Sequence, residues 1–221
     1  MTRWAMVADL RRCVGCQTCT AACRHANATP PGVQWRRVLD VEVGEFPDVK
    51  RVFLPVGCQH CDEPPCLDVC PTTATRKRDD GIVTVDYDLC LGCGYCAVAC
   101  PYQARHRTPR AVFAYGGAPA KHEAKRHDPA RIAVATKCTF CVERIDSGTA
   151  QGLTPGVDPE ATPACVNSCL SGALAFGDLD DPGSNVSQLL RENRHFRMHA
   201  ELGTGPGFYY LWDKALPEAA Q

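Results

Sequence analysis

The sequence predicts an α+β fold of short strands, short helices and many loops, drawn into two lobes with one nested inside the other. Three observations carry this reading. All sixteen cysteines of the 221-residue chain fall into four groups of four, and each group closes on Cys-x3-Cys. Seventeen prolines and eighteen glycines leave little room for long regular elements. Short alternating apolar segments enter or leave the cysteine groups.

In chain order, residues 3–9 are expected as a strand entering the first group, Cys13, Cys16, Cys19 and Cys23. Residues 33–43 and 49–56 are expected to form a hairpin that links the lobes. The second group, Cys58, Cys61, Cys66 and Cys70, carries a two-residue expansion, Pro64-Pro65, and is followed by Pro71. Ile82-Val83-Thr84-Val85-Asp86 alternates as a strand into the third group, Cys90, Cys93, Cys96 and Cys100, followed by Pro101. Residues 102–131 hold seven Lys/Arg against two acids and two consecutive glycines, which reads as a surface insertion or as a basic docking surface. The fourth group is Cys138, Cys141, Cys165 and Cys169, and Gly172-Ala-Leu-Ala-Phe-Gly177 leaves it as another strand. A short surface helix is expected over residues 184–193, after Asp181-Pro182. Phe208-Tyr-Tyr-Leu-Trp212 is expected as a strand or tail packed on a neighbour, a partner chain in an assembly.

The cysteine count sets the chemistry. Sixteen thiolates in fours match four [4Fe-4S] clusters, each held by four cysteines. Cys90-x2-Cys93-x2-Cys96-x3-Cys100-Pro101 is the bacterial ferredoxin run without a mismatch. The first and fourth groups have Arg24 and Leu170 where that run has proline, which removes no ligand. Zinc sites pair two separated Cys-x2-Cys knuckles around one ion. The fourth group taken alone also fits that pattern; the other three, with their cysteines in one tight loop, do not. Cysteines two or three residues apart suit chelation better than a disulfide scaffold.

Several classes are set aside. A net charge of −1 gives no support to nucleic-acid binding. No run of about 18 apolar residues is present, so no membrane span is expected. The stretch over residues 1–9 is too short and too soon polar for a secretory signal, which points to the cytoplasm.

On a helix, residues four apart share a face, about 6 Å apart along the axis. Each Cys-x3-Cys end can therefore reach two clusters from one turn, and in two-cluster ferredoxins the fourth cysteine of a run ligates the other run's cluster. Four groups pair in three ways, and spacing does not choose among them. The sequence proximity of groups two and three favours an inner pair nested within an outer pair made by groups one and four. The expected organisation is two ferredoxin-like dicluster lobes: residues 1–48 with 132–180 as the outer lobe and 49–105 as the inner one. Residues 106–131 form a basic surface insertion and residues 181–221 a C-terminal partner-contacting tail. Lys137 and Arg144 flank the fourth group, where positive charge would favour the reduced cluster and raise its potential; the alternative is a solvated basic pair. His60 stands between two ligands, but four cysteines are at hand, so it reads as a spacer.

Taken together, the chain resembles the iron–sulfur electron-transfer subunits of the dimethyl sulfoxide reductase family of molybdenum or tungsten enzymes. The resemblance rests on the order of the four groups, on Cys58-Gln-His-Cys61-Asp-Glu-Pro-Pro-Cys66 with Cys70-Pro71, on the third group and on Lys137-Cys-Thr-Phe-Cys141. It implies the nested pairing: Cys13, Cys16, Cys19 and Cys169 at a first cluster, and Cys23, Cys138, Cys141 and Cys165 at a second. It likewise implies Cys58, Cys61, Cys66 and Cys100 at a third cluster, and Cys70, Cys90, Cys93 and Cys96 at a fourth. Cys93 stands where some relatives have tryptophan and a three-iron cluster, so four irons are expected there. The implied partners are a molybdopterin-containing catalytic subunit and a quinone-reactive membrane-anchor subunit or a soluble electron acceptor. The resemblance implies no catalytic residue in this chain and does not choose among sulfite, phenylacetyl-CoA, polysulfide, thiosulfate, tetrathionate and arsenate complexes. Membrane association would come through a partner, in the cytoplasm or in the periplasm after co-export. The competing readings are a stand-alone polyferredoxin and a zinc-based interaction module.

Overall fold

The computed structural model describes residues 2–212. The strands are β1 (Trp4–Asp9), β2 (Arg36–Val43), β3 (Lys50–Gly57), β4 (Thr75–Lys77), β5 (Val83–Val85), β6 (His106–Arg107), β7 (Ala135–Thr136), β8 (Leu174–Asp178), β9 (His195–Phe196) and β10 (Phe208–Leu211). The helices are α1 (Thr18–Asn27), α2 (Pro65–Asp68), α3 (Tyr95–Ala99), α4 (Lys121–Arg126), α5 (Val142–Ala150), α6 (Ala164–Asn167) and α7 (Asn185–Glu192). This is the mixed α and β content, in short pieces, that the sequence predicts.

A four-stranded sheet of order β8-β1-β10-β9 ties the two ends of the chain together. β1 runs antiparallel to β8, with Met6 opposite Phe176, and parallel to β10, with Met6 also opposite Phe208. Both faces of β1 are covered, which is why its sequence is apolar throughout instead of alternating. Met6 and Ala8 face a core with Phe176, Phe208 and Tyr210, while Ala5 and Val7 face Tyr209, Leu211 and Val186. That second face is closed by α7, whose N-cap is the Ser184 hydroxyl, accepting from the Ser187 N–H at 3.2 Å. Its Val186, Leu189 and Leu190 recur at helical spacing along the packed side, so α7 is half buried and not merely a surface element.

The segment expected as a partner-contacting tail is placed differently over its described residues. Phe208, Tyr209, Tyr210 and Leu211 are all buried within this chain's own sheet, between β1 and β9. An all-apolar run is what a strand covered on both faces requires, so no second chain is needed to cover it. Residues 213–221 of that segment lie outside the described residues.

The expected hairpin is β2–β3, with Arg36 opposite Gly57 and Val43 opposite Lys50. Two smaller hairpins, β4–β5 and β6–β7, follow the second and third cysteine groups. α1 packs against α6, and α2 against α3. Helix α5 is fastened to the β4–β5 hairpin by Arg78, which donates to both carboxylate oxygens of Asp146 at 2.8 Å. The basic segment 106–131 carries β6 and α4 and is anchored at its end. There Arg131 donates to the Asn27 carbonyl at 2.9 Å and lies 5.2 Å from the Trp35 ring centre.

One backbone device recurs in all four cysteine loops. The residue just before the second cysteine is left-handed each time: Gly15 (φ 68°), His60 (φ 44°), Gly92 (φ 69°) and Phe140 (φ 57°). Gly92 has no freedom to change, because a Cβ there would come 2.0 Å from the Ala133 carbonyl oxygen, a backbone atom that cannot swing aside. The Gly92→Ala variant is expected to lose about 1–3 kcal/mol of stability, read as an earlier midpoint in chemical denaturation. The Asp146→Asn variant removes a partly exposed but bidentate pair and is expected to cost about 1 kcal/mol at pH 7. Arg78 holds the Asp146 carboxyl below its ordinary value, so this contribution is present above the usual carboxylate range and is lost as pH falls through the folded pKa. Wild type and variant should therefore converge in the same assay as the pH drops below the usual carboxylate range.

Candidate metal centre

The four cysteine-bearing helices are one to three turns long, and their ends deliver the Cys-x3-Cys pairs. Cys19 and Cys23 lie within α1, Cys66 is in α2 with Cys70 just beyond it, Cys96 is in α3 with Cys100 as its C-cap, and Cys165 is in α6 with Cys169 just beyond. Because α1 packs on α6 and α2 on α3, the ends of groups one and four meet, as do those of groups two and three. Backbone N–H groups point at several of the sulfurs, as in anion-binding concavities, one of them from a left-handed turn residue, Phe140. Phe140 N–H donates to Cys138 Sγ at 3.4 Å and Ala135 N–H to Cys90 Sγ at 3.4 Å. Thr75 N–H reaches Cys70 Sγ at 3.5 Å, and Ala173 N–H reaches Cys169 Sγ at 3.2 Å.

The thiols collect into sets that shift one another. Burial, followed by the charges of Cys169 and Cys16, pushes the Cys13 thiol up. Burial and then Cys138, Cys165 and Cys141 push Cys23 far above the ordinary thiol range. Burial, with Cys58, Cys66 and Cys100 beside it, takes Cys61 to about 12. Burial raises Cys96 too, with Cys90, Cys93 and Cys70 as its neighbours. Cys19 feels Cys165 as well as Cys13 and so lies between two of these sets. Cys16 and Cys93 are exposed, whereas Cys19, Cys23, Cys58, Cys61, Cys66, Cys96, Cys138, Cys141 and Cys165 are buried. Among the described residues no group of three or more His, Cys, Asp or Glu is arranged to hold a single metal ion. A cubane takes one thiolate at each iron corner.

Where the two halves meet, Cys138 and Cys58 are close enough for the Cys58 charge to help raise Cys138, behind burial as the main cause. His60 and Phe140, the left-handed residues of groups two and four, stack there with ring centres 3.8 Å apart. His60 Nδ1 accepts from the Val83 N–H at 3.0 Å. Burial first, then Lys137, Arg36 and Arg105, hold its pKa well below the usual histidine range, so the imidazole is neutral. It packs the seam.

Three buried cations face the thiols. Lys137 is 1% exposed; its ammonium donates to the Val83 carbonyl and, at 2.8 Å, to the Cys138 carbonyl, and the Cys58, Cys138 and Cys66 thiols lie around it. Arg105 donates to Cys66 Sγ at 2.9 Å and to Thr75 Oγ1 at 3.2 Å. Arg36 is 1% exposed and lies near Cys165, Cys138 and Cys23. None of the three pairs with a carboxylate among the described residues. Buried positive charge without an acid partner is unstable unless an anion is supplied, and the thiol sets are where these cations point. The residues therefore fit an anionic, thiolate-bound iron–sulfur group.

Of the residues singled out from sequence, Lys137 lies between thiol sets, while Arg144 turns away to bind the Thr162 carbonyl at 2.8 Å and the Pro159 carbonyl at 2.5 Å. Arg36 and Arg105 were not anticipated. The one available signal for Arg36 was its place at the start of the hairpin, where register sets it opposite Gly57, the residue before Cys58.

Comparison with known proteins agrees with this geometry. A 4Fe-4S dicluster domain model matches residues 49–114. The chain is 40% identical to a selenate reductase subunit of Mesobacillus selenatarsenatis over 225 residues, covering 95% of this chain and 72% of the relative. It is 40% identical to a tetrathionate reductase subunit of Salmonella typhimurium, covering 95% of this chain and 72% of that one. It is also 37% identical to the arsenate respiratory reductase iron-sulfur subunit of a Shewanella species, covering 95% and 96%. The likeness runs through all four cysteine groups, beyond the matched dicluster domain. With its thiol sets, buried cations and short cysteine-bearing helices, the chain belongs to the family of iron–sulfur electron-transfer subunits of dimethyl sulfoxide reductase-type oxidoreductases, as a non-catalytic member.

Proposed function

We propose that this chain carries single electrons through four [4Fe-4S] clusters set in line, between a molybdopterin catalytic subunit and a membrane-anchor subunit or soluble acceptor. The observation that carries the reading is the grouping of the thiols. Cys13 lies near Cys16 and Cys169, Cys23 near Cys138, Cys141 and Cys165, Cys61 near Cys58, Cys66 and Cys100, and Cys96 near Cys90, Cys93 and Cys70. We read Cys13, Cys16 and Cys19 with Cys169 as one end, followed by Cys23, Cys138, Cys141 and Cys165. Cys58, Cys61, Cys66 and Cys100 come next, and Cys70, Cys90, Cys93 and Cys96 form the other end. Bound clusters supply a one-electron redox change without bond breaking. The chain's own part is to hold the sets apart, keep water from the inner two and present the outer two. In this reading α1 with α6 and α2 with α3 are the rigid spacers within each pair, and the nested lobes are the two pairs. The Cys58–Cys138 approach supports a step between the pairs.

Both ends offer apolar rims for partners. Val14 and Leu170 are 61% and 81% exposed at one end, and Leu91, Tyr95 and Val98 are 70%, 61% and 89% exposed at the other. No helix among the described residues is long and apolar enough to cross a membrane, so membrane contact in this reading runs through the partner, on the cytoplasmic side or after co-export. Selenate, tetrathionate, sulfite and arsenate enzymes appear among the relatives' names, and substrate choice is assigned here to the catalytic partner.

The anaerobically purified chain is expected to bind about sixteen iron and about sixteen acid-labile sulfide; substantial zinc, or half that iron, would overturn the proposal. Purified from its source organism, it should come with a large pterin-containing partner, whereas an active monomer would point to a free polyferredoxin. The Cys93→Ser variant is expected to damage one terminal cluster, stopping turnover with the physiological acceptor while turnover with artificial dyes at the catalytic subunit continues. Retained physiological turnover with that cluster lost would refute the proposed order.

A further inference from the structure

Arg36 differs from the other two buried cations in what its donors do. Arg105 and Lys137 place theirs on sulfur, hydroxyl or carbonyl oxygen. In Arg36 only Nη2 has a neighbour, Met6 Sδ at 3.0 Å, and Nε and Nη1 are buried with no hydrogen-bond partner. The guanidinium carbon lies 4.8 Å above the Phe208 ring, which accommodates a cation without neutralising it. Of the other polar groups nearby, the Tyr210 hydroxyl donates to the Pro55 carbonyl at 3.1 Å, and the His60 imidazole is neutral and accepts from the Val83 N–H. The remaining groups that exchange charge effects with the guanidinium are the thiols of Cys165, Cys138, Cys23 and Cys19.

We propose that Arg36 is a positioning residue that sets the redox poise of the site formed by Cys23, Cys138, Cys141 and Cys165, holding beside it a buried positive charge that no carboxylate among the described residues pairs. This rests on reading those four cysteines as one cluster site. Taking up an electron from the neighbouring site adds one negative charge there, with no bond made or broken and no proton moved. A fixed cation shielded from water favours the more negative state. Arg36 thereby offsets the penalty that burial places on reducing this inner site.

The test is an equilibrium redox titration of the full, cluster-loaded chain, followed by electron paramagnetic resonance. Wild type is compared with Arg36→Gln and Arg36→Lys, and iron and sulfide are measured on each sample. In Arg36→Gln one midpoint should fall: at the wild-type midpoint the reduced-to-oxidised ratio of that signal should drop about tenfold, or 59 mV for a one-electron couple. The other three should hold, and Arg36→Lys should recover most of the shift. Full iron with four unmoved potentials, or an equal displacement of all four, overturns the role of Arg36. A wild-type iron content well below about sixteen per chain overturns the four-cluster reading instead. If Arg36→Gln fails to load, loading restored by Arg36→Lys supports the charge role; loading lost in both shows that shape, not charge, is required, and overturns it.

Discussion

Negative charge gathered in fours and buried is the constraint to which the rest of this structure responds. A thiol must lose its proton to hold iron, yet burial and its neighbours resist that loss, taking Cys141 to about 12 and Cys138 to about 11. The protein relieves part of that resistance with fixed positive charge and with backbone N–H groups. Lys137, Arg36 and Arg105 stand at the inner sets, where water is excluded, and the exposed outer cysteines Cys16 and Cys93 have solvent instead. Iron, when bound, would supply the remainder, which would couple loading of the metal to folding of the loops.

The shapes of the elements follow from the same constraint. A helix of one or two turns is marginal by itself, but α2, α3 and α6 need only carry one cysteine of a pair and aim the next. Their neighbours are other cysteine helices, so little apolar surface is required of them. The apolar surface is concentrated in the β8-β1-β10-β9 sheet, which is covered on both faces and gives the loops a fixed base. The left-handed residue before each second cysteine is supplied by glycine in the first and third groups and by His60 and Phe140 in the second and fourth. There two rings pack face to face and give the unusual backbone a reason to persist.

What the sequence disclosed was local. The cysteine groups, the β2–β3 hairpin, and strands β1, β5 and β8 each follow from spacing or alternation within about ten residues. The central place of β10 was not legible, because an apolar strand covered by its own chain and one covered by a partner have the same composition. Arg36 was hidden for a related reason. Its neighbours Trp35 and Arg37 mark it as nothing unusual, and only the hairpin register brings it beside the thiols. Lys137 was noticed from its place next to Cys138, but its link to Cys58 across the seam depends on the folded arrangement. Arg144, equally adjacent in sequence, serves a loop.

The parallel pairing of β1 with β10 has a consequence for how the molecule is made. Met6 meets Phe208 and Phe176 on its two sides, so β1 waits for β8 and β10, which come much later in the chain. The α2–α3 pair lies within a short stretch of sequence and can close as soon as it emerges. The half built on α1 and α6 draws on segments far apart in sequence and cannot. Synthesis from the N-terminus thus imposes an order in which the local α2–α3 unit matures before the unit that α6, β8 and β10 complete. In between, the apolar faces of β1 stand uncovered until β8 and β10 have been made.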